Sequence, residues 1–302
     1  MPVRTRPAPA AVPTAAPAPP AAQAGERTPT GRVATPRPAG AASPGTVPRP
    51  RAAVAARTLR QDRWWVSPVI TVVVLAGFTA YGLWAALRNG DYFAKPYLSP
   101  FYSPCLTANC ADHATPHLFG DIDPVSPALL ILVFPLGFRL TCYYYRRAYY
   151  RSFWWAPPAC AVPDARRGYS GETKFPLLLQ NAHRYFFYVA LVFAGLLTYD
   201  AVLAFIFPGG RFGIGVGTAV LVVNSALIWL YTLSCHSCRH LCGGGLKRLS
   251  AAPVRRRVWA RLSVLNRNHL WFAWASLLWI MVADFYVWLV ASGTLTDPHW
   301  IA

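Results

Sequence analysis

Acidic residues are scarce in this chain: 11 Asp+Glu stand against 29 Lys+Arg in 302 residues, giving a net charge of +18 with only 13% of residues charged. So little charge excludes a soluble nucleic-acid-binding domain, which would carry more charge and fewer Trp, Phe, Leu and Val, and no nucleic-acid partner is expected. The 55% apolar content excludes a wholly disordered chain. No apolar h-region follows Met1, which argues against a secretory signal peptide. No repeat of about 20 to 50 residues is visible, so a solenoid is not expected. There is also no flavin or nucleotide motif. A chain that is both basic and greasy is the composition of a membrane protein.

The apolar mass is unevenly spread. Residues 1–63 are rich in Ala and Pro and carry ten Arg against Glu26 and Asp62. That proline density is incompatible with helix or strand, and a disordered, basic tail on the cytoplasmic side is expected, with non-specific attraction to anionic lipid as its functional alternative. Residues 64–302 then form an all-α membrane domain of five transmembrane helices. Their apolar runs cover 67–87, 127–142, 183–207, 214–235 and 269–291, most of them near the roughly 20 residues that cross a bilayer core. The second is short and contains Pro135 and Arg139, the arginine near one end where it can snorkel. Lys and Arg beside the spans number 24 on one side and three on the other. The positive-inside rule therefore predicts a multi-pass protein of a bacterial plasma membrane, N-terminus cytoplasmic and C-terminus outside.

This topology sorts the seven Cys. Cys105 and Cys110 fall in the outer loop after the first span, where a disulfide is expected on an oxidising side. The other five fall toward the cytoplasmic end, together with four His. Cys142 ends span two, Cys160 lies in the following loop and His183 opens span three. Span four ends in Ser234-Cys-His-Ser-Cys-Arg-His-Leu-Cys242 before Gly243, Gly244 and Gly245, and His269 opens span five. If residues 235–242 stay helical, Cys235, Cys238 and Cys242 share one stripe and His236 and His240 a neighbouring one. The glycines would then stop the helix and let the chain fold back round a site. So many soft and borderline ligands at one depth point to a metal or metal cluster. Thiolates suit zinc or iron–sulfur clusters, imidazoles suit zinc or haem iron, and a [2Fe–2S] centre with two Cys and two His is the Rieske arrangement.

The runs Arg139-Leu-Thr-Cys-Tyr-Tyr-Tyr-Arg-Arg-Ala-Tyr-Tyr-Arg151, Gly171-Glu-Thr-Lys174, Gln180-Asn-Ala-His-Arg-Tyr-Phe-Phe187 as far as Phe186 and Phe187, and Ser234-Cys-His-Ser-Cys-Arg-His240, set in five spans, resemble the membrane-anchor (cytochrome b-like) subunit of actinobacterial succinate dehydrogenase. The likeness runs from about residue 63 to the end. It implies a respiratory complex II in which an FAD-containing flavoprotein oxidises succinate, an iron–sulfur subunit with further clusters relays electrons, and the anchor passes them to menaquinone or ubiquinone in the bilayer. Oligomers of the complex are compatible with it. Anchors of the wider family often hold two b haems between helix histidines. Here the outer histidines His113, His117 and His299 lie outside the spans, which leaves a distal haem without ligands. A single proximal haem b using His183 with His240 or His269 is the alternative. The crowding of Cys about the same level favours a Rieske-type [2Fe–2S] cluster instead. The expected ligands are Cys160, His183, Cys238 and His240, with Cys235 and His236 as reserves, followed by Cys142 and His269.

A quinone site needs an apolar slot and donors to its carbonyls. Tyr143, Tyr144, Arg146, Trp154, Arg184 and Tyr185 at the cytoplasmic end are the candidates. Asp200 and Asp284 lie inside spans in the outer half, where carboxylates default to function. They are candidates for an outer quinone pocket or proton path, the alternative being a protonated acid bonded to Tyr199 or Asn224. Two readings from other classes remain: a metal-ion transporter that uses the Cys/His group as a sensor, and a structural anchor with a zinc clip.

Overall fold

The structure is a computed structural model that describes residues 61–106, 125–155, 159–160, 162 and 175–302. Nearly all of the expected tail, together with Cys110, His113 and His117, lies outside the described residues. In chain order the elements are α1 (Val66–Leu87), β1 (Phe93–Ala94), β2 (Tyr97–Leu98), α2 (Pro127–Ile131), α3 (Val133–Thr141), α4 (Tyr143–Phe153) and α5 (Phe175–Leu203). There follow β3 (Ile206–Phe207), β4 (Arg211–Gly215), α6 (Val216–Leu233), α7 (His236–Arg239), a π-helical turn His240–Gly244, a 3-10 turn Leu249–Ala251, α8 (Pro253–Arg267), α9 (His269–Ala291) and β5 (His299–Ile301).

Among the described residues four helices are long and apolar enough to cross a membrane: α1, residues Asn181–Leu203 of α5, α6 and α9. A helix satisfies its backbone hydrogen bonds internally, which is what an uninterrupted apolar run in lipid requires. The expected second span is instead two short helices, α2 and α3, joined at Leu132. Pro135 explains the break, because it has no N–H for the Ile131 carbonyl and its ring crowds that position. End to end the pair covers about 22 Å at 1.5 Å per residue, short of a core of about 30 Å.

Neighbouring segments alternate in direction. The end of α1 lies beside the end of α9, where Tyr81 and Arg88 bond Asp284. Ser126, just before α2, also reaches that end, through Tyr102. Thr141 at the end of α3 meets His183 early in α5, and Ser234 after α6 meets His269 at the start of α9. The bundle thus has two polar ends: one with His183 and His269, the other with Asp200, Asp284 and Asp297. At the carboxylate end β3, β4 and β5 form an antiparallel sheet, with Ile214 opposite Trp300.

Three departures from the sequence reading are local. The basic stretches 143–153 and 253–267 fold as the short helices α4 and α8 rather than as loops. The run after span four breaks once, at Cys235, whose backbone is extended (φ −63°, ψ 145°), before α7 and the π-helical turn continue it. Arg139 does not snorkel but is buried in the bundle, 9% exposed.

Candidate functional site

Two cysteines occupy equivalent backbone positions. Cys142 is the extended residue (φ −62°, ψ 132°) between α3 and α4, and Cys235 the extended residue between α6 and α7. Each therefore caps the N-terminus of the helix that follows, where free N–H groups and the helix dipole favour a thiolate. Cys235 Sγ accepts a hydrogen bond from the Ser237 N–H at 3.4 Å. Both thiols are buried.

Each cysteine faces an imidazole. His183 Nε2 lies 3.0 Å from Cys235 Sγ, and His269 Nε2 lies 3.4 Å from Cys142 Sγ. The Nδ1 atoms are held by the residues preceding the opposite cysteines: Thr141 Oγ1 is 3.0 Å from His183, and Ser234 Oγ is 2.6 Å from His269. So each dipeptide, Thr141-Cys142 and Ser234-Cys235, gives its hydroxyl to one ring and its thiol to the other. Aromatic rings fix the imidazole planes. Phe138 stacks on His183 (4.7 Å, 1°), Tyr231 stacks on His269 (5.1 Å, 16°), and Phe138 and Tyr231 meet edge to face at 5.2 Å. Asn266 of α8 ties the Ser234 carbonyl at 2.8 Å.

These groups line a cavity of about 280 Å³, with Thr141, Tyr143, Tyr144, Arg146, His236, Ser237 and Asn266 among its walls. Among the described residues no three His, Cys, Asp or Glu side chains form a group able to hold a single metal ion. The donors come as two Cys–His pairs.

Against the expected ligands this is a partial correction. The structure brings His183 and Cys235 together, places His236 at the cavity wall, and adds the last reserves Cys142 and His269. Cys160 is exposed and lines a separate cavity with Arg147 and Arg151. Cys238 is buried in the apolar core, and burial pushes its thiol up to about 11. His240 points away: its ring packs on Gly244, where an added Cβ would come within 2.4 Å, as it would within 2.3 Å of Trp259 at Gly243. The glycines thus admit two rings instead of folding round a metal. The cause is the break at Cys235, which turns that residue off the stripe of Cys238. What sequence reasoning underused was the repeated hydroxyl–thiol pair, Thr-Cys and Ser-Cys, each closing an apolar run.

Of the quinone candidates, Tyr143, Tyr144 and Arg146 line the cavity. Trp154, Arg184 and Tyr185 are exposed on the outside of the bundle. His236 is also exposed, and its pKa is lowered by partial burial, then by Arg239 and His240.

At the other end, Asp284 is fully buried and bonded by Arg88 at 2.9 and 3.1 Å, by Tyr81 at 2.5 Å and by Ser99. Its charge is matched by Arg88, the residue that follows α1. Asp200 accepts a hydrogen bond from Ser103. Cys105 is disulfide-bonded, and its expected partner Cys110 is outside the described residues.

A bundle of apolar, membrane-length helices with a buried layer of two Cys and two His at one end is the architecture of an integral membrane protein with a polar site built into one end of the bundle. Residues 66–293 match the family described as actinobacterial succinate dehydrogenase subunit SdhC, and the chain belongs to that family. Among solved structures it is similar to a chain of the Mycobacterium smegmatis Sdh1 complex in the apo form, at 50% identity and TM-score 0.75, over 83% of this chain and 96% of that one. No curated protein matches.

Proposed function

We propose that this subunit anchors succinate dehydrogenase in the plasma membrane, with five segments across the bilayer and the Cys/His end cytoplasmic, and passes electrons from an iron–sulfur partner to quinone. The flavoprotein that oxidises succinate would be the further partner. The observation that carries the reading is the crossed arrangement of Cys142, His183, Cys235 and His269. Their donor set, two thiols and two imidazoles with hydroxyls fixing both Nδ1 atoms, fits a Rieske-type [2Fe–2S] group, in which each iron takes two protein ligands. Such a group supplies one-electron transfer at a potential above that of an all-Cys cluster. A haem held between the two histidines would need their Nε2 atoms to face one another, whereas each faces a thiol.

The chain's own residues divide the work. Cys142 and Cys235 bind as thiolates favoured by helix N-termini. Thr141 and Ser234 set the ring orientations, as outer groups commonly do for ligating histidines. Phe138 and Tyr231 keep water from the imidazole faces. Tyr143, Tyr144, Arg146 and Asn266 are the donors at the cavity able to hold quinone carbonyls, with the tyrosine hydroxyls placed to supply protons.

Purified complex should reduce quinone with succinate and show the axial EPR signal of a His-ligated two-iron centre. A b-type absorption spectrum with no labile sulfide beyond that of the iron–sulfur partner would sink the proposal.

A further inference from the structure

We infer that Arg139 is a fixed counter-charge of the Cys/His layer that raises its reduction potential, in addition to Arg146 on the cavity wall. The inference rests on the reading of the layer given above.

Arg139 is on α3, three residues before Cys142, and is 9% exposed. Its hydrogen-bond partners are all neutral: Tyr145 Oη at 2.6 Å, Ser276 Oγ at 3.2 and 3.3 Å and the Ala273 carbonyl at 3.4 Å. Among the described residues no carboxylate pairs with it. The buried carboxylates Asp200, Asp284 and Asp297 belong to the opposite end, where Asp284 already has Arg88. The guanidinium lies 4.8 Å over the Tyr231 ring, which in turn stacks on His269.

Burying a guanidinium without an anion costs several kcal/mol. Arginine does not escape the cost by losing its proton. The groups within reach that become anionic are the thiols of the layer, once they bind as thiolates. With a two-iron group held by Cys142, His183, Cys235 and His269, uptake of one electron from the partner's iron–sulfur centre would make the charge they enclose more negative by one. No bond need form or break. A fixed cation one ring away favours that more negative state, and in a buried site the attraction is only weakly screened. Arg139 therefore raises the potential, and the neutral partners on its far side leave its charge undiminished.

The test is a potentiometric titration followed by EPR on purified complexes, with iron and labile sulfide measured for each. The chains compared are wild type, Arg139→Gln, Arg139→Lys, and Ser276→Asp, which sets a carboxylate against an intact guanidinium. Arg139→Gln and Ser276→Asp should keep their iron and show a reduction equilibrium at least about tenfold less favourable, about 59 mV lower for one electron. Arg139→Lys should recover most of the difference. Wild-type potentials in both neutralised variants would overturn the inference. Should Arg139→Gln fail to assemble, Ser276→Asp decides the question alone. A wild-type complex without redox-active iron in this subunit would instead overturn the reading beneath it.

Discussion

His183 Nε2 lies 3.0 Å from Cys235 Sγ, while Nδ1 of the same ring is held by Thr141, the neighbour of the other cysteine. The two halves of the site are therefore interlocked, since moving either Thr-Cys or Ser-Cys segment displaces both imidazoles. The α5 and α9 helices each bring one imidazole, and the α3–α4 and α6–α7 junctions each bring one thiol.

The hydroxyls give the first prediction. Thr141→Val and Ser234→Ala remove the Nδ1 contacts and leave every proposed ligand in place. Loss of such an outer partner typically costs 10- to 100-fold in metal affinity or activity. Quinone reductase rates and retention of iron under chelator should fall by that order in each variant.

A second prediction separates the new ligand set from the expected one. Cys160→Ser, Cys238→Ser and His240→Ala should keep the full EPR signal, because Cys160 lines a separate cavity, the Cys238 thiol meets Cys242 rather than an imidazole, and His240 rests on Gly244. Loss of the signal in any of the three would return that residue to the site.

A third concerns the distant carboxylate. Removing one partner of a buried ion pair costs about 3–5 kcal/mol, because the other charge is stranded. Arg88→Met should lower the thermal stability of the complex by that order, and the double variant Arg88→Met with Asp284→Leu should recover much of it. Asp284→Asn should leave quinone reductase turnover and its pH profile near wild type; a lost or shifted profile would show that Asp284 handles protons.

A fourth tests the sheet end. At Gly217 an added Cβ would meet the Tyr97 ring at 2.6 Å, and Tyr97 is locked by its bond to Asp297 at 2.7 Å. Gly217→Ala should destabilise by about 1–3 kcal/mol, as overpacked sites do, with a matching fall in melting temperature.

Much of the membrane domain is legible in the sequence, because apolar runs without charge have few other ways to satisfy their backbone. The second segment is harder to read: Pro135 announces a break, yet only the packed structure shows α2 and α3 together linking the two polar ends. The site is legible as a class of donors at one depth, not as particular ligands. Choosing Cys142 and Cys235 over Cys160 and Cys238 requires knowing that the chain turns extended at those two residues, a consequence of how α4 and α7 dock. Arg88 and Asp284 illustrate the same limit, since 196 residues separate two groups that neutralise each other.

The most direct measurement is the iron and labile sulfide in complexes carrying Cys142→Ser or Cys235→Ser, compared with wild type. The account predicts that each variant loses the iron and sulfide of a single two-iron centre while the partner subunits keep theirs. Equal iron and sulfide in wild type and both variants would contradict it.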